Sequence, residues 1–434
     1  MTGEVRHRGV FALAGSALGV LAAEPLYVLV DTAVVGHLGA VPLAALGIGG
    51  VLLSQVTAQL NFLAYGTTSR AARWYGAGRR ADAVAEGVQA SWLAAGIGVL
   101  VVMLGEAFAG PVTRLLAGAA GPVQAGAEQW LRIAVLGAPF ILLAVAGNGW
   151  MRGVQDTRRP LRFVIGANVV SAVLNPVLVY GAQLGLTGSA VANVVAQALG
   201  AAMFVRALRA ERVTTRLDLV VIRRQLTLGR DLVVRSLGLQ ACFLVAAGVA
   251  ARMGTAQVAA HQIALQLWMF LALVLDSFAI AAQALVGGAL GGGDARTASR
   301  VAWRVAGYGA LAGTVFGAVL LAGGSVVPGL FTTDPGVLAQ VGLAWPWFAA
   351  MQPLAGVVFA LDGVLIGAGD AAFLRTLTVG AGVLGFIPAT LLAYAAGLGL
   401  GGVWGGLTLF IVIRFLGTTW RTRAGSWAVV GEQR

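Results

Sequence analysis

Four acids fall deep inside long apolar runs of this 434-residue chain, away from the ends of those runs: Glu24, Asp31, Asp276 and Asp362. An ionisable group at that depth costs at least about 2.5–3.5 kcal/mol on insertion scales, so each is a candidate for an ion or proton path. Glu24 and Asp31 are seven residues apart, about two helical turns, and are expected to share a helix face. Pro25 between them removes a backbone hydrogen bond and is a candidate hinge. A buried carboxylate of this kind is suited to reversible protonation. Amides and hydroxyls recur at helical spacing nearby: Asn168, Ser171 and Asn175 on one stripe, and Asn193 with Gln197 one turn on. Gln55, Gln59 and Asn61 lie in the second apolar run. Gln262, Gln266 and Gln283 accompany Asp276 in the eighth run, and Asp362 stands in the tenth. Taken singly such groups serve as interhelical glue. Together they are expected to line a wet substrate cavity (Gln55, Gln59, Asn61, Gln262, Gln266, Asp276, Gln283, Asp362), with Glu24, Asp31, Asn168, Ser171, Asn175 and Asn193 handling the coupling cation. Asp231 and Arg235, and likewise Glu128 and Arg132, stand four apart and are expected to pair structurally.

Catalytic signatures do not occur. There is no G-x-S-x-G, no H-E-x-x-H, and no phosphate-binding G-x-x-x-x-G-K-[ST], which would need a lysine the chain lacks. The three histidines, His7, His37 and His261, are scattered, and the single cysteine, Cys242, allows neither an internal disulfide nor a cysteine metal cluster. The expectation is a non-enzyme with no cofactor and no resident metal.

These side chains need a scaffold, and composition names its class. Hydrophobic residues make up 59% and charged residues 11%, with a mean hydropathy of +0.86. Soluble domains carry about a quarter charged residues, so an ordinary soluble enzyme is excluded. Apolar runs long enough for a bilayer of about 30 Å fall near 10–36, 42–69, 88–106, 127–151, 160–181, 186–205, 229–251, 257–290, 301–322, 338–368, 373–396 and 399–418. The expected fold is all-α, with twelve transmembrane helices in two pseudo-symmetric lobes.

The net charge of +12 could suggest nucleic acid, but its placement argues for topology. Every basic residue is an arginine, and they gather in alternate gaps: Arg70, Arg73, Arg79 and Arg80, then Arg152, Arg158, Arg159 and Arg162, then seven between Arg206 and Arg230. Arg296, Arg300 and Arg304, then Arg375, then Arg421, Arg423 and Arg434 continue the alternation, while the other gaps hold Arg114, Arg252 or none. By the positive-inside rule both termini are expected in the cytoplasm. The first run reads as a retained span rather than a signal peptide, since no small-residue cleavage pattern follows it.

The chain also repeats. At an offset of 215, Gly39, Ala44, Ala45, Ile48, Leu52, Gly76 and Gly78 recur as Gly254, Ala259, Ala260, Ile263, Leu267, Gly291 and Gly293. At 214, Gly149, Gly153, Asp156, Tyr180, Gly185, Leu186 and Gly188 recur as Gly363, Gly367, Asp370, Tyr394, Gly399, Leu400 and Gly402. Parallel repeats of six spans describe two-lobed transporters. The expected division is an N-lobe over 1–205, a cytoplasmic linker over 206–228 and a C-lobe with a short cytoplasmic tail over 229–434.

Glu24–Gly39 (EPLYVLVDTAVVGHLG) resembles the first-helix signature of the DinF branch of multidrug and toxic compound extrusion (MATE) transporters. The resemblance continues through Ala259–Gln262 (AAHQ), Asp276–Ala284 (DSFAIAAQA), Arg152–Arg158 (RGVQDTR) and Asp362–Asp370 (DGVLIGAGD), covering essentially the whole chain. It implies a V-shaped pair of six-helix lobes that exports organic cations or other amphipathic compounds in exchange for H⁺ or Na⁺. It also implies that Asp31 is the protonation residue. Where similar transporters carry an asparagine and an aspartate in span five and a threonine in span six, this chain has Ser171, Asn175 and Asn193, so the second carboxylate is an amide.

The reading that follows is an H⁺-coupled drug antiporter of the plasma (inner) membrane, acting by alternating access. A Na⁺-coupled version, with the ion at Asp31, is the first alternative. A lipid-linked oligosaccharide flippase would be expected to line its cavity with arginines, and a membrane enzyme acting on lipids would need a nucleophile or metal cluster. Expected partners are small amphipathic or cationic molecules and the lipid bilayer, not nucleic acid, and the expected state is a monomer.

Overall fold

A bilayer cannot satisfy exposed peptide groups, so a chain this apolar must close its backbone hydrogen bonds within each segment. The computed structural model, which describes residues 7–431, does so with helices and contains no strand among those residues. In chain order they are α1 (His7–Gly36), α2 (Ala40–Gln59), α3 (Phe62–Gly76), α4 (Arg80–Ala117), α5 (Pro122–Val135), α6 (Ala138–Gly153), α7 (Arg158–Pro176) and α8 (Gly185–Ala210). The second half holds α9 (Leu219–Met253), α10 (Thr255–Gly291), α11 (Ala295–Ala322), α12 (Pro335–Ala350), α13 (Gln352–Gly367), α14 (Ala371–Gly380), α15 (Ile387–Ala395) and α16 (Gly399–Ala424). Among the described residues ten helices are long and apolar enough to cross a membrane, or twelve spans when two bent pairs count as one span each. The pairs are α5 with α6 and α12 with α13, each bent by 49°. They occupy equivalent places in the two repeats, so the break is inherited with the repeat.

Two further features explain why particular glycines recur. Gly39 and Gly254 precede α2 and α10 with φ of 117° and 140°, and Gly78 and Gly293 turn the chain after α3 and α10 with φ of 80° and 81°. Side chains are strained in that region, so both repeats keep glycine there. Gly149 and Gly153 instead let α6 approach α3. A Cβ on Gly149 would stand 2.9 Å from the Ala64 carbonyl oxygen, and one on Gly153 3.1 Å from that of Thr68. Their repeat partners Gly363 and Gly367 press α13 onto Ala279 and Gln283 of α10, the counterparts of Ala64 and Thr68. The small residues act here as packing contacts between helices.

The chain divides into two compact units, Gly19–Gly229 and Met1–Leu18 with Arg230–Arg434. Compared with the division expected from sequence, the opening of α1 groups with the second half, where Phe11 packs on Phe278 and Tyr308. The stretch expected as a linker groups with the first half. Gln89 donates to the Arg216 carbonyl, Trp92 to that of Thr215, and Gln225 of α9 donates to Glu86 on α4. Arg434 and the side chain of His7 lie outside the described residues.

Candidate functional site

In the first unit, the buried stripe of α1 runs at four-residue spacing through Tyr27, Asp31 and Val35, while Leu26, Val28, Leu29 and Val30 are exposed. Asp31 is 4% exposed, and its partners come from α7 and α8. Asn175 Nδ2 and Ser189 Oγ both donate to Asp31 Oδ1, each at 2.6 Å. One turn earlier on α1, the Tyr27 hydroxyl accepts from Asn193 Nδ2 at 3.0 Å. Tyr180, just beyond α7, donates to the Val34 carbonyl. Three helices therefore meet at the level of Asp31, and neither donor that reaches the carboxylate carries charge.

The Ser189 hydroxyl has a fixed direction. It accepts from the Trp130 indole N–H at 3.3 Å, and an indole nitrogen can only donate. The serine proton is thereby left for Asp31 Oδ1. With Asn175 on the same oxygen, Oδ1 is held as an acceptor, and Oδ2 is the oxygen at which a proton would be gained or lost.

The second unit holds a different acid. Asp362 on α13 is also 4% exposed, but Arg235 of α9 and Arg414 of α16 both donate to its Oδ2. A neighbouring cluster has Arg230 and Arg375 donating to Asp231 Oδ1, at 3.0 and 2.6 Å. The expected Asp231–Arg235 pair is thus corrected: α13 offers Arg235 the buried carboxylate of Asp362, and α14 supplies Arg375 to Asp231. Glu128 and Arg132 do pair at 2.9 Å, and Glu106 joins them at 2.8 Å.

The remaining candidate residues separate. Ser171 and Asn175 are buried in the Asp31 cluster's helices, and Asn168 continues their stripe half-buried. Glu24 is exposed, unlike Asp31. The two acids stand about two turns apart on the continuous α1, but only Asp31 is covered. Pro25 lies inside a continuous α1. Gln55, Asn61, Gln262 and Gln266 are exposed, and Gln59 and Asp276 are half-buried. Gln283 is buried where Gly367 approaches its backbone, and Asp362 accepts from Arg235 and Arg414. Tyr27, Trp130, Ser189 and Arg414 escaped sequence reasoning. Tyr27 is signalled by standing four residues before Asp31, and Arg414 by being an arginine within an apolar run.

Comparisons with known proteins agree with this architecture. A family model described as MatE matches residues 17–177 and again 232–391, one match per repeat. The chain is 34% identical to Protein DETOXIFICATION 44, chloroplastic, of Arabidopsis thaliana, over 97% of this chain and 83% of that protein. It is 32% identical to DNA damage-inducible protein F of Escherichia coli, over 93% and 90% of the two chains. A MATE structure in a bent conformation superposes with a TM-score of 0.89 at 21% identity, covering 96% and 95% of the chains, a likeness of fold. Two repeats matched by one family model, on a scaffold of membrane-spanning helices, make this chain a member of the MatE family of multidrug and toxic compound efflux transporters, which are multi-pass membrane proteins and not enzymes.

Proposed function

We propose that the protein is a secondary antiporter of the plasma (inner) membrane that exports organic cations and other amphipathic compounds in exchange for H⁺, with both termini in the cytoplasm. The observation that carries this reading is the neutral donor set around a buried Asp31. With no fixed cation donating to it, the cluster gains a full negative charge when the proton leaves Oδ2 and loses it when the proton returns. An organic cation and a proton then compete for the same charge. Coupling requires that they bind with different affinities in the two access states. Asn175 and Ser189 hold Oδ1, Asn193 orients the Tyr27 phenol, and the Pro25-containing α1 is the element that would rearrange.

Substitution of Asp31→Asn keeps the shape and removes the titrating group. Substrate-driven proton exchange in proteoliposomes should disappear, and persistence at the wild-type rate would refute the coupling role. A Na⁺-coupled reading is favoured by one feature: Asn175 Oδ1 and Asn193 Oδ1 are buried without hydrogen-bond partners, and such carbonyl oxygens can ligate Na⁺. Imposing a pH gradient and a Na⁺ gradient separately distinguishes the two readings by which one drives export.

A further inference from the structure

Phe163 of α7 meets Phe204 of α8 edge to face, with ring centroids 5.2 Å apart, so the start of α7 and the end of α8 lie at the same end of two neighbouring spans. On α7 one exposed stripe runs through Arg158, Arg162, Ile165, Val169 and Val173, each three or four residues from the last. On α8 another runs through Val195, Leu199, Ala202, Arg206 and Arg209 at the same spacing, and exposed Arg212 prolongs it. Each stripe is charged at the shared end and apolar along the rest of its length. The acids nearby are already engaged, Asp156 with Arg159, and Glu211 with Arg80 and Arg159. Among the described residues no carboxylate pairs with Arg158, Arg162, Arg206, Arg209 or Arg212.

Topology accounts for arginine at this end of the spans, but that rule acts on both repeats alike. At the offset of 214, Arg158, Arg162, Arg206 and Arg212 stand opposite Ala372, Thr376, Trp420 and Ser426. Of the cluster only Arg209 keeps its type, as Arg423, whose guanidinium lies 5.8 Å from the centre of the Trp303 ring. Other arginines at the corresponding end of the second repeat are held as well, Arg375 by Asp231 and Arg421 by Asp370. The second repeat thus meets the topological requirement with arginines partnered inside the protein. The first leaves a group of guanidiniums without acids beside an apolar outer surface, and topology alone does not ask for that.

We infer that the charged end of the α7–α8 pair is a binding surface for anionic phospholipid, its phosphate headgroup on the guanidiniums and its acyl chains along the apolar length of the stripes. Groups of about four to eight basic residues beside a spanning helix attract anionic headgroups, and a guanidinium is suited to receive a phosphate on two parallel N–H groups. A soluble anion would answer the charge but leave the apolar stripes unused. A phospholipid fits both parts of the surface. The site lies wholly within the first unit and does not depend on the role proposed for Asp31.

The test titrates the full-length protein in detergent with dioleoyl phosphatidylglycerol, and with dioleoyl phosphatidylcholine as the zwitterionic control, and reads bound lipid by native mass spectrometry. Phosphatidylglycerol should bind more tightly by about tenfold or more. Arg162→Gln and Arg206→Gln should each weaken its binding about fivefold, and the two combined with Arg158→Gln should abolish the preference. These side chains are exposed, so the variants should fold, which their unfolding temperatures check. Arg114→Gln removes the same charge from the last turn of α4, at the far end of that helix from Arg80, and should leave binding unchanged. Glycerol phosphate carries the charge without acyl chains and should not displace the lipid at equal concentration. Asp31→Asn should keep the lipid preference, which separates this result from the antiport reading. Equal binding of the two lipids, wild-type preference in the folded combined variant, an equal loss in Arg114→Gln, or displacement by glycerol phosphate would each overturn the proposal.

Discussion

Asp31 and Asp362 are the same residue type, equally buried, each on a helix of an apolar span, yet their surroundings give them opposite capacities. Asp31 is held by an amide and a hydroxyl, and Asp362 by two guanidiniums. The first can exchange its charge without breaking an ion pair. The second bridges two guanidiniums, so removing its carboxylate would break two ion pairs at once. Burial alone therefore does not distinguish the two acids; the charge of their hydrogen-bond donors does. The contrast is sharpest in stability. Asp362→Ala removes the carboxylate that Arg235 and the buried Arg414 share and should destabilise the protein by about 3–5 kcal/mol. Asp31→Asn preserves an acceptor for both neutral donors and should cost about 1 kcal/mol or less. Thermal unfolding of the two variants in one detergent measures the difference, and equal losses would erase the distinction.

That distinction was half visible in the sequence. Asp31 could be singled out because span one offers few polar residues, and Asn175 because it stands on a helical stripe with Ser171. Ser189 and Trp130 could not, since one serine or tryptophan in a Gly- and Ala-rich chain has no local signal of a partner more than a hundred residues away. Asp362 was misread for the same reason. Its arginines come from α9 and α16, and spacing along a helix reports neighbours on that helix alone. Hence Asp231 and Arg235 looked like a pair although tertiary contacts give each a different partner. The twelve spans and the repeat were legible because they rest on long-range averages and on glycines at positions of positive φ or close helix approach, such as Gly39, Gly78, Gly149 and Gly153. The bends of 49° coincide with Pro139 and Pro353, which stand in the first turns of α6 and α13 at the repeat offset of 214.

The neutrality of the Asp31 cluster can be probed from its second layer. Ser189→Ala removes a hydrogen bond to a charged acceptor, worth about 1.5–3 kcal/mol, and should slow substrate-driven proton exchange by about tenfold. Trp130→Phe keeps the ring and removes the N–H that fixes the serine direction. Its effect should be smaller, a few-fold at most on the same principle, because the hydroxyl can still reach Asp31. The ranking is the informative result. If Trp130→Phe is as damaging as Ser189→Ala, the indole holds the packing of α5 rather than the orientation of the hydroxyl.

The smallest expected effect tests whether the two halves also differ at their surfaces. Asp294 and Arg79 are repeat counterparts at the starts of α11 and α4. Asp294 caps α11, accepting from the Thr297 amide at 2.8 Å and the Thr297 hydroxyl at 2.5 Å, whereas Arg79 makes no side-chain cap and pairs with Asp82 at 2.8 Å. The hydroxyl and amide of Thr297 hold the Asp294 carboxyl below the ordinary aspartate value of 3.8. The folded state therefore favours the ionised form. Its contribution is complete above that value and is lost as pH falls through the lower folded pKa. Asp294→Ala should thus lower the unfolding temperature slightly at neutral pH and speed amide exchange in the first turn of α11. The gap from wild type should close on acidification below the aspartate range. Arg79→Ala should leave the first turn of α4 unprotected to the same degree as before, since its side chain caps nothing there.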